Sequence, residues 1–120
     1  MRNQPKYSIF KNTSYALKGL KDLVQTEKSF IIELVFAILL MPVVLFVDTS
    51  LTSKLLMIIT LFIVLLAEAI NSAIERVVDL LESKHNILAG RAKDVGSAVV
   101  FLSIVLFIIV WLVIIFDVMA

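Results

Sequence analysis

The chain has 120 residues, of which 61% are hydrophobic and 18% charged, with a mean hydropathy of +1.05. A soluble domain this small has much surface for its volume and should be more polar, so the excess apolar surface must face lipid or other subunits. A formal charge of +1 sets up no general nucleic-acid-binding field, and the absence of cysteine removes disulfides and thiolate metal sites. The composition describes one small membrane domain, residues 1–120.

Residues 9–24 are amphipathic at the helical period. Ile9, Phe10, Thr13, Ala16, Leu17, Leu20, Leu23 and Val24 share one face, with Lys11, Lys18, Lys21 and Asp22 opposite. This predicts a helix over about 6–26 lying in the cytoplasmic interface, lysines toward anionic headgroups. Packing of its apolar face on the protein itself is an equally good reading, and the two are compatible. The first apolar run starts near residue 31 and no small-residue cleavage site follows it, so no signal peptide is expected.

The uncharged run Leu34–Val47 becomes a span of about 30–48 once Ile31–Glu33 is added. Glu27 lies just before it and Glu33 within its start. Glu27 is placed to reach a cation shared with Glu75, although a lone Glu beside a span is more commonly an interfacial charge. After the short Asp48–Lys54 connection, Leu55–Ala67 extends through Glu68–Asn71 to give a helix over about 52–82 that continues into the cytoplasm. The clearest span is the 22-residue uncharged run Val95–Phe116, expected within a helix over about 91–117. The fold expected is therefore all-α: three transmembrane helices and an interfacial helix. Two buried helices of a soluble bundle plus one anchor would suit the composition less well. Of the 11 Lys and Arg, only Lys54 falls on the far side, so the N-terminus should be cytoplasmic and the C-terminus outside.

On the second span Glu68, Asn71, Ser72, Glu75, Asp79 and Glu82 fall within about 100° of arc. Glu68 lies about 21 Å along the helix from Lys54, inside the inner leaflet, where a carboxylate costs a few kcal/mol and marks function. Glu75 is about 10 Å nearer the cytosol. One end of the stripe is thus at headgroup depth and the other in water, which suits chemistry joining a lipid to a soluble reagent. A structural polar seam is the bland alternative, but aligned like charges repel and call for a cation. Oxygen-rich sites suit Mg²⁺.

Ser83-Lys84-His85-Asn86 reads as a turn carrying the single histidine, which in a loop is more often a solvated residue than a ligand. Gly90-Arg91-Ala92-Lys93-Asp94-Val95-Gly96-Ser97-Ala98 follows, with cations where the third helix leaves the cytosol and small residues that let helices approach. Arg91 and Lys93 are placed to meet phosphate; flanking positive charge explains them equally until the carboxylate stripe is considered. No Walker A loop, protein-kinase signature or Rossmann glycine fingerprint occurs.

Glu68-Ala-Ile-Asn71-Ser72-Ala-Ile-Glu75-x-Val-Val-Asp79, then Gly90-Arg-Ala-Lys93-Asp94-x-Gly96-Ser97-Ala, resembles the prokaryotic diacylglycerol kinase family. Tyr15-x-x-Lys18-Gly19-Leu20 and Glu27-x-x-Phe30-x-x-Glu33 extend the resemblance, which covers about residues 7–116. It implies an integral-membrane lipid kinase of the bacterial inner membrane, a homotrimer with active sites shared between neighbours. Such an enzyme passes the γ-phosphate of MgATP to diacylglycerol, giving phosphatidic acid, and recycles diacylglycerol left by membrane-derived oligosaccharide synthesis. Carried over residue by residue, Glu68 would be the general base, positioned by Asn71. Glu27 and Glu75 would hold Mg²⁺; Tyr15, Lys93 and Asp94 would line the nucleotide site; Phe30, Glu33, Ser97 and Trp111 would lie near the lipid.

Two features depart from the family pattern: Ser8 stands where an arginine is expected, leaving Lys6 or Lys11 to serve, and His85 lies one position early. Gly96-Ser97 favours diacylglycerol over undecaprenol, the substrate of the related Gram-positive branch. A small ion-coupled transporter would have four spans and its Glu in the first. A purely structural subunit would leave the stripe without turnover.

Overall fold

The computed structural model describes residues 8–81 and 86–120, so the expectations attached to Lys6, Glu82, Lys84 and His85 lie outside the described residues. Four helices follow in order: α1 (Ile9–Thr26), α2 (Lys28–Phe46), α3 (Leu51–Leu81) and α4 (Ile87–Met119), with no strand among the described residues. Helices α2, α3 and α4 are each long and apolar enough to cross a membrane. At 1.5 Å per residue α3 and α4 reach about 45–50 Å, well beyond a hydrocarbon core of about 30 Å, so both project past the bilayer.

Local chemistry sets the helix ends. The Ser8 hydroxyl accepts from the Lys11 N–H and caps α1. Glu27 is the whole hinge between α1 and α2. Its backbone is extended, its N–H donates to Leu23 O, and its carbonyl accepts from the Ile31 N–H. At the outer end, Lys54 Nζ donates to Leu45 O, tying the start of α3 to the last turn of α2. The third membrane helix starts earlier than the sequence suggests, at Ile87 rather than near 91. The Asn86 side-chain oxygen accepts from the N–H groups of Leu88 and Ala89, and this cap adds a turn.

Helix α3 is central, packing most extensively on α4 and less on α2. The outer half of the bundle is closed by an apolar cluster of Val44, Met57, Leu61, Trp111 and Ile114, in which Val44 and Met57 are completely buried. Two polar groups are sealed inside it. Trp111 Nε1 donates to Met57 O and Thr60 Oγ1, and the Thr60 hydroxyl donates in turn to Met57 O at 2.8 Å. In the inner half the buried positions are of another kind: Phe30, Ala67, Glu68, Asn71, Ser72 and Gly96. Most large apolar side chains of α2 and α4 remain exposed, as lipid-facing or subunit-facing surfaces require.

No residue of α1 is buried, but Leu23 is half-buried, and Ala16, Leu20 and Leu23 face Ala69 and Ala73 of α3 across a cleft. The direct ties between α1 and α3 are polar. Arg76 of α3 reaches across to pair with Asp22, donates to Thr26 Oγ1 at 2.9 Å, and donates twice to Glu27 Oε1 at 2.9 and 3.2 Å. The planar guanidinium presents its donors in a fixed fork and serves three acceptors at once.

Arg76→Ala is therefore expected to raise amide hydrogen exchange across 9–26 while leaving the α2 core protected, and Arg76→Lys to restore only part of that protection. Thr60→Val keeps the side-chain shape but removes the hydroxyl between Trp111 and Met57. It should lower resistance to detergent unfolding by about 0.5–1.5 kcal/mol, and unchanged unfolding would show that the buried pair contributes nothing.

Candidate active site

The stripe of α3 is graded in exposure along the helix. Glu68, Asn71 and Ser72 are buried at 7%, 8% and 2% exposure, whereas Glu75 and Asp79, farther along the same face, are open to solvent. Glu68 faces the Glu33 carboxyl across the α2–α3 contact, and Glu27 and Glu75 lie close enough to act on it electrostatically. Four carboxylates from three segments, the α1–α2 hinge, α2 and α3, thus converge at the end of the bundle where α1 joins α2. Helical spacing aligns Glu68 with Glu75; the hinge backbone and the Arg76 clamp supply Glu27; the first turns of α2 supply Glu33.

The amide of Asn71 is committed to Glu75, donating Nδ2–H to Oε1 at 3.1 Å. In this structure Asn71 therefore orients Glu75 rather than Glu68, a change from the expected role: on a helix the side chain one turn onward is its neighbour, and the donor turns that way. Two buried acceptors, Asn71 Oδ1 and Glu33 Oε2, have no hydrogen-bond partner. From Glu33 an apolar cleft of about 190 Å³ runs outward between Phe36, Leu40, Leu61, Val64 and Phe107.

Lys93 pairs with Asp79, which holds the start of α4 against the end of the stripe and keeps a cation beside it. Among the described residues, no three His, Cys, Asp or Glu side chains form a ready metal cage. Mg²⁺ carried with a nucleotide needs only one or two protein carboxylates, its other ligands being phosphate and water. Glu27 and Glu75 fit that demand, since the described hydrogen bonds of each use Oε1 alone.

The expected site residues separate into two groups. Glu27, Glu33, Glu68, Asn71 and Glu75 come together, with Phe30 buried beside them on α2 and Lys93 reaching the stripe through Asp79. Tyr15, Asp94 and Ser97 are exposed; Tyr15 has Lys18 Nζ at 5.9 Å from its ring and no hydrogen bond to the carboxylate group. Trp111 does not join the site. It lies about 20 Å along α4 from Gly96 at the helical rise, inside the outer apolar cluster with its indole nitrogen already satisfied. Sequence reasoning missed Arg76 as a positioning residue, reading it as a flanking positive charge. Its partners are 49–54 residues away in the chain, and no local pattern links them.

A family profile described as prokaryotic diacylglycerol kinase matches residues 14–115. The chain is similar to diacylglycerol kinase of Haemophilus influenzae, 38% identical over 103 residues, 86% of this chain and 87% of that protein. It is similar to diacylglycerol kinase of Escherichia coli at 35% identity over 109 residues, covering 91% and 89% of the two chains. Diacylglycerol kinase of Pseudomonas aeruginosa is 32% identical over 103 residues, 86% and 84% of the two. The matched region contains all of the converging carboxylates, the Asn71–Glu75 pair and the Lys93–Asp79 contact, and the chain belongs to the prokaryotic diacylglycerol kinase family.

Proposed function

We propose that this chain transfers the γ-phosphate of MgATP to the hydroxyl of diacylglycerol, giving phosphatidic acid at the cytoplasmic face of a bacterial inner membrane. The observation that carries this reading is the graded stripe, buried at Glu68 and solvated at Glu75 and Asp79. A lipid hydroxyl confined to headgroup depth and a water-borne nucleotide can meet only along such a line. The kinship with proteins named diacylglycerol kinase supports the choice of lipid.

Glu68 acts as general base. Its carboxylate accepts the hydroxyl proton as the lipid oxygen bonds to the γ-phosphorus, while the bond from that phosphorus to the β–γ bridging oxygen breaks and ADP leaves with the electron pair. The proton then passes to water. A positioned base contributes about 10²–10⁴ in rate, and the rest of phosphoryl transfer is mainly alignment and charge neutralisation. Glu27 and Glu75 would hold Mg²⁺, which would offset phosphate charge when bound. Asn71 fixes the rotamer of Glu75, and Lys93 is near enough to exchange Asp79 for a phosphate oxygen. Phe30 and Glu33 flank the entry from the lipid side.

Tyr15 and Asp94 on the nucleotide side, and Ser97 on the lipid side, are exposed within one chain, and large apolar faces of the membrane helices are uncovered. Both features favour an oligomer in which a neighbour completes each site, and the family resemblance makes it a homotrimer.

Purified protein given MgATP with diacylglycerol and undecaprenol together should label phosphatidic acid on thin-layer separation; label on the polyprenol alone would overturn the choice of lipid. Glu68→Gln and Glu75→Gln should each lower kcat at least about 100-fold, and full activity in either would remove its assigned role. Because the chain lacks cysteine, single Ser14→Cys and Ser50→Cys probes report topology. A membrane-impermeant maleimide that reaches the outer surface of the inner membrane should label position 50 and spare position 14; the reverse pattern would invert the proposed orientation.

A further inference from the structure

Of the three glycines in the chain, two need no explanation from contact: a Cβ added at Gly19 or Gly90 would meet nothing within 4 Å. Gly96 is different. It is buried in α4 against α3, and a Cβ there would fall on Asn71 Oδ1, closer than real Cβ atoms come to any neighbour. The next atoms, Asn71 Cγ at 3.5 Å and Ile74 Cδ1 at 3.6 Å, would be in ordinary contact. The space taken by the absent side chain is thus filled by one atom, the amide oxygen of Asn71.

That oxygen cannot easily turn elsewhere. It is buried without a hydrogen-bond donor, while its amide nitrogen donates to Glu75 Oε1 at 3.1 Å. Exchanging the two ends of the amide would set an oxygen against the Glu75 carboxylate and lose the bond. With Nδ2 directed along α3 to Glu75, Oδ1 must point to α4, and it fits there only because residue 96 has no Cβ. Glycine is a poor helix former, yet it sits in the interior of a membrane-spanning helix at this contact.

We infer that Gly96 is a positioning residue for the reaction: by leaving room for Asn71 Oδ1 it sets the amide that holds Glu75. In a Gly96→Ala chain either the Asn71 side chain rotates and releases Glu75, or α4 withdraws from α3 and opens the buried half of the stripe. Either movement displaces the carboxylate end of the site by about the distance at which misalignment costs about 10²-fold in rate. The activity consequence rests on the lipid-kinase reading; the contact itself does not.

The test is a cycle of wild type, Gly96→Ala, Asn71→Ala and the double variant, read by kcat, by KM for diacylglycerol and by Tm in detergent. Gly96→Ala should lower kcat about 10- to 100-fold with KM for diacylglycerol unchanged, and should lower Tm. In the Asn71→Ala background, where the oxygen is gone, the same change should lower neither kcat nor Tm below the values of Asn71→Ala alone, because contacting residues are not additive and alanine is the better helix former. Equal losses in both backgrounds, or a fully active Gly96→Ala, would overturn the inference. If Gly96→Ala does not fold, recovery of folding in the double variant supports it and failure to recover overturns it. A wild type without turnover would sink the lipid-kinase reading alone, since the Tm cycle still decides whether Gly96 seats Asn71.

Discussion

A helix that carries Glu68, Asn71 and Ser72 into a bilayer must shield them from hydrocarbon, because an unsatisfied polar group there costs several kcal/mol. That constraint organises the inner half of this molecule. Helix α2 covers Glu68 from one side, bringing Glu33 and Phe30 with it. Helix α4 covers Asn71 from the other, and can come close enough only where it presents Gly96. The shielding is incomplete toward the far end of α3, where Glu75 and Asp79 are exposed. The same face therefore passes from a covered environment to an open one within three turns, which is the feature that the proposed reaction uses.

The outer half answers a different demand. With no strong solvent force driving helices together in lipid, association rests on close packing and interhelical hydrogen bonds. Val44, Met57, Leu61, Trp111 and Ile114 interlock, and Trp111 is fastened to Met57 and Thr60 through its indole nitrogen. Helix α1 is attached more lightly, through Arg76 and the single-residue hinge at Glu27. An exposed polar clamp is weaker than a buried core, so α1 is the element held least firmly. The residue that makes the hinge is also a carboxylate of the site, so a motion of α1 would be felt at Glu27.

Much of this was legible in the chain itself. Helical periodicity placed Ile9, Leu17 and Leu20 on one face of α1, and the uncharged runs located three spans. Depth counting from Lys54 put Glu68 deeper than Glu75 along the helix, and within the chain Glu68 is the buried one and Glu75 the exposed one. These properties are local: they follow from a rise of 1.5 Å per residue and from the cost of charge in lipid. Local reasoning was weaker at the α4 start, where the Asn86 cap adds a turn, and at Asn71, whose two candidate partners lie on the same helix face.

The composition of 61% hydrophobic residues, the spacing of its few charges and the polar stripe determined that this chain crosses a membrane with acids aligned on one helix. Tertiary structure decided which of those acids have company. Arg76 was a flanking charge until α1 folded back to offer Asp22, Thr26 and Glu27. Trp111 was a candidate lipid contact until α4 crossed α3 in the outer half and buried its indole. Gly96 was one small residue in a motif until its missing Cβ proved to be the space for Asn71 Oδ1. In each case the partner is distant in sequence, and the contact is set by where whole helices cross, which no spacing along a single helix encodes.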